Sequence, residues 1–433
     1  MKYAIQTFGC KVNQYESAII SEGMIKKGFI KADDIRKSDI AIINSCSVTE
    51  QSDKKACQLI RKLKNANSDC IIALCGCFPQ AFKSKAEKSG ADIITGTEDK
   101  DKLPDIIYNY VQSSQKDVLS KVSELTDRLC FNDMPLSDMG KTRAFIKIED
   151  GCDRYCAYCI IPYARGKVRS RSIDDIIKET RFQVKCGHKE MVAVGINLSL
   201  YGSDIGLRLA DAVHAICSVD GVERVRLSSL EPELITEDDI KRLSDEPKLC
   251  PHFHLALQSG CEATLKRMNR HYTPNEYYKI VETLRKYFPD CSITTDIMVG
   301  FAGETNEEFE QSLAFCEKVG FAAMHVFTYS VRSGTEAAKR TDFVSADIAA
   351  VRYKRMSELA ARMKTEYFEK TVGKIKQVLI QKRESENYAN GLTPEYVPVR
   401  IYNCDAKKHD ILTIKVTSAQ KNEFCVGEVQ KVL

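Results

Sequence analysis

The chain has 433 residues, too many for one ordinary domain and about right for three at ~150 residues each; 43% of them are hydrophobic, enough for sizeable cores. No apolar run approaches the ~18 residues of a membrane span, and the start, MKYAIQTFGCKVNQ, has no charged segment leading into an apolar one, so neither membrane insertion nor a signal peptide is expected and a cytoplasmic protein is. A net charge of only +4 excludes nucleic-acid binding by overall charge and leaves that role to local patches, while 18 Cys without a leader read as metal ligands, redox groups or buried thiols rather than disulfides.

Residues 1–115 alternate strand and helix, with strands over 2–7, 39–44, 70–74 and 92–95 and Lys-rich helical stretches between them, such as 51–64. This is the pattern of a parallel α/β sheet. Cys10, Cys46 and Cys77 each follow a strand by a few residues. In such a sheet the loops at the carboxyl ends of the strands converge on one edge, so the three thiols are expected to meet in space. Cys75 competes with Cys77 but falls in or at the end of its strand; Cys57 and Cys70 read as structural.

Residues 116–142 are polar and irregular, with Pro135 and Gly140, and read as a linker. A strand over 144–148 then runs into Gly151-Cys-Asp-Arg-Tyr-Cys-Ala-Tyr-Cys-Ile-Ile161, where Cys152, Cys156 and Cys159 share one loop. Three thiolates fall one short of a tetrahedral zinc site. A cubic four-iron cluster held by three Cys keeps one iron open to a substrate. The competing reading is a zinc knuckle completed by a distant Cys or His. Five further strands, over 191–196, 224–229, 252–257, 293–299 and 324–329, alternate with helices over 173–185, 237–244, 274–287 and 306–318. Six βα units make a partial barrel with its function at the carboxyl ends of the strands. Ser229, Glu231, Gln258 and Asp296 fall at those ends; His252 and His254, two apart on a strand, face one side. Cys186, Cys217, Cys291 and Cys316 read as small core residues.

A long helix over 345–369 leads to short β-rich runs over 376–381, 396–402, 411–417 and 428–432, with Lys and Arg interleaved and Tyr388, Tyr396 and Tyr402 among them. These suggest a small β-barrel whose cations and aromatics suit RNA. Arg165, Lys167, Arg169 and Arg171 alternate just after the cysteine loop and are expected to contact phosphates, against the plainer reading of a solvated edge.

The C-x3-C-x2-C spacing resembles the signature of radical S-adenosylmethionine (SAM) enzymes, with Tyr158 at the aromatic position that packs near the adenine. That resemblance implies SAM chelated to the open iron and split to a 5′-deoxyadenosyl radical. The wider order, with Thr7-Phe-Gly-Cys-Lys-Val-Asn13, Asn44-Ser-Cys-Ser-Val-Thr49, Gly76-Cys77, Leu227-Ser-Ser-Leu-Glu-Pro232, Leu257-Gln-Ser-Gly260, Asp296-Ile-Met-Val-Gly-Phe-Ala-Gly-Glu-Thr305 and Val326-Phe-Thr-Tyr-Ser330, resembles the methylthiotransferases over nearly the whole chain. It implies an N-terminal α/β domain over 1–115, a linker over 116–142, a radical SAM (βα)6 partial barrel over 143–370 and a TRAM-like RNA-binding barrel over 371–433. It also implies two 4Fe–4S clusters, one on Cys152, Cys156 and Cys159 that cleaves SAM and an auxiliary one on Cys10, Cys46 and Cys77 that carries the sulfur. One SAM methylates that sulfur, and a second supplies the radical for C–S bond formation. Ser229, Glu231, Gln258 and Asp296 are then expected around SAM.

Gly-Cys-Lys-Val-Asn-Gln-Tyr-Glu and Ile161-Pro-Tyr-Ala-Arg-Gly-Lys-Val-Arg-Ser-Arg171 resemble the branch acting on N6-threonylcarbamoyladenosine of tRNA. The alternatives are isopentenyladenosine tRNA, a ribosomal-protein aspartate, or a non-enzymatic zinc-containing RNA-binding protein. A flavodoxin- or ferredoxin-type electron donor and a monomer are implied. Ala302 departs from the family's usual Pro, and Asn197-Leu-Ser-Leu-Tyr-Gly202 is less Gly-rich than in many relatives. The first implies a local change of rigidity only.

Overall fold

The computed structural model describes residues 1–98, 100–113, 117–125, 131, 136–384 and 387–430; Pro135 of the expected linker and Val432 of the last expected strand lie outside them. The N-terminal unit is a six-stranded parallel sheet of β1 (Lys2–Thr7), β2 (Ile30–Lys31), β3 (Ile40–Ser45), β4 (Ile71–Gly76), β5 (Ile93–Thr95) and β6 (Leu119–Lys121), in the order β2-β1-β3-β4-β5-β6. Alternation sorts β3 between two cores: Ile40 and Ile42 pack with Ile20, Met24 and Ile107 on one face, Ala41 and Ile43 with Ile60, Leu63 and Leu74 on the other. The edge strand β6 pairs with β5 inside the segment expected to be linker, so the sheet reaches past residue 115.

The central unit runs through β7 (Arg143–Lys147), β8 (Glu149–Asp150), β9 (Arg169–Ser170), β10 (Glu190–Val194), β11 (Arg224–Leu227), β12 (Ser229–Leu230), β13 (His252–Leu255), β14 (Ser292–Val299) and β15 (Ala323–Thr328). Parallel sheets β11-β10-β7 and β12-β13-β14-β15 meet where Ser228 breaks one run into β11 and β12, giving the expected six-unit partial barrel. Helices Ile173–Lys185, Glu237–Ser244, Pro274–Tyr287 and Asn306–Val319 start at Ser172, Thr236, Thr273 and Thr305, whose side chains each accept a hydrogen bond from the backbone three residues on. Gly300 and Gly303 keep positive φ (71° and 74°) around buried Ala302, and Glu304 Oε2 accepts the Gly300 and Phe301 amides at 2.6 and 3.1 Å, so the turn is held without the proline. Cys217, Cys291 and Cys316 are buried as expected, but Cys186 is exposed just past the helix Ile173–Lys185.

The long helix Ala346–Glu369 leads to β16 (Ile375–Arg383), β17 (Tyr388–Leu392), β18 (Pro398–Tyr402), β19 (Ile411–Gln420) and β20 (Phe424–Val429), which close a barrel in the order β16-β17-β18-β20-β19. The strand β17 is absent from the sequence reading. It carries Asn390 and Gly391, poor strand formers, and a Cβ on Gly391 would come within 2.5 Å of the Leu379 carbonyl. The loop after β17 docks on the amino ends of the central strands: Arg224 donates to the Leu392 carbonyl (3.2 Å), Arg226 to Thr393 and Pro394 (3.2 and 2.7 Å), and Ser292 to Glu395 (2.6 Å).

The N-terminal unit meets the central one through the helix Lys11–Lys26. Tyr15 and Ile19 pack on Phe145, Val192 and Val194. Beside them Glu16, fully buried, accepts from Arg165 Nη1 (2.5 Å) and Nη2 (3.1 Å), from Lys147 (3.1 Å) and from Lys100. Arg165 also reaches Asp150 (3.2 Å) and donates to Asn13 Oδ1 (2.7 Å), and Lys147 pairs with Asp150 at 2.6 Å. Burial alone would raise the Glu16 carboxyl, but Arg165, Lys100 and Lys147 hold it down at about 2, and Asp150 is likewise held well below its usual range.

A charge left alone at this depth is costly, so Glu16→Ala is expected to lower unfolding stability by about 3–5 kcal/mol in denaturant titration. Both carboxyls are depressed in the fold. Their contribution is therefore complete above the ordinary carboxylate range and is lost as pH falls from about 4.5 towards 2, which acid titration of the wild type should show as a stability rising with pH in that window.

Candidate active site

Three cysteines from three crossovers meet at the carboxyl edge of the N-terminal sheet. Cys10 follows β1 and caps the helix Lys11–Lys26, Cys46 follows β3, and Cys77 opens the short helix Cys77–Ala81 directly after β4. Cys46 and Cys77 are buried and Cys10 is exposed. Two glycines make this approach possible. Gly9 (φ +103°) has no room for a Cβ, which would lie 2.8 Å from Cys46 Sγ, and one on Gly76 (φ +105°) would lie 2.5 Å from the Ser45 carbonyl. Asn13 ties the loops together, donating to the Phe8 and Ser45 carbonyls at 2.9 and 3.1 Å. Cys75 is fully buried within β4, which leaves Cys77 as the thiol at the edge.

The second set sits on the loop between β8 and the helix Ile161–Arg165. The Cys152 amide donates to Gly166 (3.0 Å), Ala157 to Met268 (2.8 Å) and Cys159 to Cys156 (2.9 Å). Tyr155 takes a left-handed φ of 47°, its carbonyl held by Asn269 Nδ2 at 2.9 Å. A Cβ on Gly151 (φ +90°) would strike the Lys167 carbonyl, so this loop also needs its glycine. Arg270 Nη1 lies 3.4 Å from Cys156 Sγ and Asn197 Nδ2 4.0 Å from Cys152 Sγ. Burial pushes the Cys46 and Cys152 thiols up to about 12, so binding of a metal there must displace protons.

Arg165 joins the two sets. It is 1% exposed, and its charge acts on Cys10, Cys46 and Cys77 while its guanidinium is fixed by Glu16 and Asp150. This corrects the expectation that Arg165 contacts RNA phosphate. Arg171 is corrected too: it is 2% exposed and paired with Glu179. Arg169 turns inward, donating to the Arg165 and Lys167 carbonyls at 3.0 and 2.9 Å. Of the four, Lys167 is the exposed one. The alternation is real, but its partners are carboxylates and carbonyls of this chain.

Of the remaining expected residues, Glu231 and Gln258 follow the strands β12 and β13, while Asp296 lies in the middle of β14 rather than at its carboxyl end and Tyr158 on the cysteine loop. Tyr158 packs with Met268, Met298 and Phe301, edge-on to the Phe301 ring at 6.4 Å. Glu231 pairs with Arg270, and burial raises its carboxyl to about 7 despite that partner. Gln258 adopts φ 66° while bridging β14, its amide donating to Asp296 and its carbonyl accepting from Met298, both at 2.9 Å. Asp296 is bracketed by His254 (3.3 Å) and His325 (3.2 Å). Ser229 is exposed on β12 and, with Asp296, His252 and His254, lines a cavity of about 480 Å³ that Lys11, Lys364 and Tyr396 also face. Arg270 and Lys11 are absent from the sequence reading of the site. Position 270 lies 114 residues from the thiol it touches, and no local spacing marks it.

Among the described residues no three His, Cys, Asp or Glu side chains are placed to hold a single metal ion. The donors present on the loop are three thiols, which fit a multi-iron cluster with one unprotected iron. The buried atoms Asn197 Oδ1, Ser228 Oγ, Glu233 Oε2 and Gln258 Oε1 have no hydrogen-bond partner among the described residues. Unpaired polar atoms gathered at one strand edge fit a polar ligand such as SAM, with its amine, carboxylate and ribose hydroxyls.

The Radical SAM superfamily model matches residues 146–316, and that of the Uncharacterized protein family UPF0004 matches residues 2–96. The chain is 37% identical to the threonylcarbamoyladenosine tRNA methylthiotransferase MtaB of Thermotoga maritima, over 91% of this chain and 89% of that one. It is 33% identical to the protein of that name from Bacillus subtilis (96% and 94%), and 34% identical to the tRNA-2-methylthio-N(6)-dimethylallyladenosine synthase of Acetivibrio thermocellus (88% and 80%). In fold it is similar to the radical SAM methyltransferase TsrM of Kitasatospora setae, with a TM-score of 0.58 and 12% identity over 78% of this chain and 77% of that one. These matches bring with them an iron–sulfur cluster and SAM, and the chain belongs to the radical SAM methylthiotransferases.

Proposed function

We propose that this enzyme converts N6-threonylcarbamoyladenosine beside the tRNA anticodon to its 2-methylthio derivative. The observation that carries the reaction type is the pairing of two three-cysteine sites through one buried arginine, Arg165. Cys152, Cys156 and Cys159 hold the cluster that binds SAM, and Cys10, Cys46 and Cys77 hold a second, sulfur-bearing one. When bound, these groups supply reductive SAM cleavage and the sulfur to be inserted.

The chain's own residues set the stage. Tyr158, Glu231 and Gln258 line the SAM side of the barrel's carboxyl end. Arg270 keeps a fixed charge beside Cys156 and ties it to Glu231. Arg165 fixes the distance between the sites, because it is held at once by Glu16 of one unit and Asp150 of the other. The choice of substrate branch is supported by the Gly-Cys-Lys-Val-Asn motif at Cys10 and by the polar, cation-lined wall of the adjoining cavity. An isopentenyl group, being hydrocarbon, would gain little from that wall. The C-terminal barrel and Lys167 offer cations for the tRNA backbone, and a flavodoxin- or ferredoxin-type protein supplies the electrons.

Cys10→Ser, Cys46→Ser and Cys77→Ser should each cut methylthio product by more than about 100-fold, beyond the loss caused by removing a mere supporting partner, while 5′-deoxyadenosine formation persists. Normal product from Cys10→Ser would remove that residue from the sulfur-bearing site. Nucleoside mass spectrometry of tRNA from a host lacking the activity, with and without this gene, should show 2-methylthio-N6-threonylcarbamoyladenosine only with it. Appearance of the isopentenyl product alone would keep the chemistry and reject the substrate.

A further inference from the structure

The 480 Å³ cavity lies where all three units meet: Lys11 comes from the N-terminal sheet, His252, His254 and Asp296 from the barrel interior, Lys364 from the long helix and Tyr396 from the C-terminal barrel. Its acids are already engaged. Asp296 is bracketed by His254 and His325, Glu395 is paired with Lys376 at 2.5 Å, and Glu190, just behind the wall, takes Arg226 at 2.8 Å. Its lysines are less committed: Lys11 and Lys364 are half-buried and neither makes an ion pair or hydrogen bond among the described residues, although Lys364 Nζ lies 5.4 Å over the Phe368 ring and feels the charge of Glu423. Arg143 and Arg226 lie over the Tyr396 ring at 5.3 and 5.0 Å, which fixes that ring as a flat wall against His252, stacked at 4.8 Å. His252 Nδ1 is buried with no partner.

A half-buried ammonium without an anion is costly, and two facing one cavity repel each other. The arrangement suits a site that receives negative charge. Its position is as telling as its charge, since Lys11 directly follows Cys10 and Ser229 and Asp296 sit on the strands that carry the SAM side. Lys11 therefore joins this chamber to the cysteine edge of the N-terminal unit.

We propose that Lys11 and Lys364 form a carboxylate site for the amino-acid substituent on N6 of the target adenosine, with His252 Nδ1 and the Tyr396 ring completing its wall. This rests on the substrate reading above and gives it a physical basis. A carboxylate gains two charge-assisted hydrogen bonds here, whereas a hydrocarbon substituent would leave both lysines desolvated and unpaired. The site selects by what it refuses as much as by what it holds.

The test is binding of free N6-threonylcarbamoyladenosine to the cluster-loaded full chain without SAM, against the same nucleoside with its carboxylate converted to the methyl amide. The acid should bind about tenfold or more tightly than the amide, the size of one charge-assisted hydrogen bond. Lys364→Met should erase that difference, Lys364→Arg should keep it, and Lys11→Met should erase it with iron content unchanged. Equal binding of acid and amide by the wild type overturns the site, whatever the catalytic assay gives. So does a Lys364→Met protein that weakens both nucleosides alike, or one that still prefers the acid. A wild type that prefers the acid but methylthiolates only isopentenyl tRNA would keep the carboxylate site and reject the substrate reading.

Discussion

One buried carboxylate holds the enzyme together. Glu16 stands at the boundary of two units that each carry one set of three cysteines, and it is wrapped by Arg165, Lys147 and Lys100. With Asp150 and its further partner Arg169 included, four cations face two carboxylates among the described residues, so the knot keeps a surplus of positive charge. Through Arg165 that surplus lies against Cys10, Cys46 and Cys77, where any thiolate would carry the opposite sign. The knot therefore does two things with the same atoms: it locks the spacing of the two cysteine sites, and it makes the auxiliary edge electrostatically suited to anionic sulfur.

Much of this was legible in the sequence because it follows from topology. A parallel sheet sends the chain out of its strands on one edge, so Cys10, Cys46 and Cys77 could be brought together without knowing a single contact. The strand before Cys152 and the five after it gave the partial barrel in the same way, and the strand alternation put His252 and His254 on the cavity wall. What the sequence could not reveal was burial decided by distant partners. Arg165 and Arg171 alternate with polar neighbours as exposed residues do, and only the arrival of Glu16, 149 residues away, and of Glu179 turns them inward. The edge strand β6 is three residues long and β17 carries a glycine, so neither has a pattern strong enough to show against its surroundings.

The C-terminal barrel was expected as an RNA-binding appendage, yet one of its loops also closes the enzyme. The Thr393, Pro394 and Glu395 carbonyls dock on the amino ends of the central strands, and Tyr396, one of the aromatics expected to meet bases, lines the cavity while staying 39% exposed. Tyr402 remains exposed at the surface. The same small domain thus has an outer face free for a large polyanion and an inner face that shapes the chamber.

The two cysteine sites also differ in how much of the chain they need. Cys152, Cys156 and Cys159 lie on a single loop of eight residues, pinned by hydrogen bonds to Gly166 and Met268. Cys10, Cys46 and Cys77 meet only after the crossovers that set β1, β3 and β4 side by side, and Glu16 has Lys100 as a partner within the N-terminal unit before it gains Lys147 and Arg165 from the central one. The N-terminal unit thus meets its buried carboxylate with one cation of its own, and the segment around the second cysteine loop supplies the other two. One set of thiols is gathered by a whole sheet and the other by a single loop, and Arg165, at the end of the short helix after that loop, is the cation that ties the two edges together.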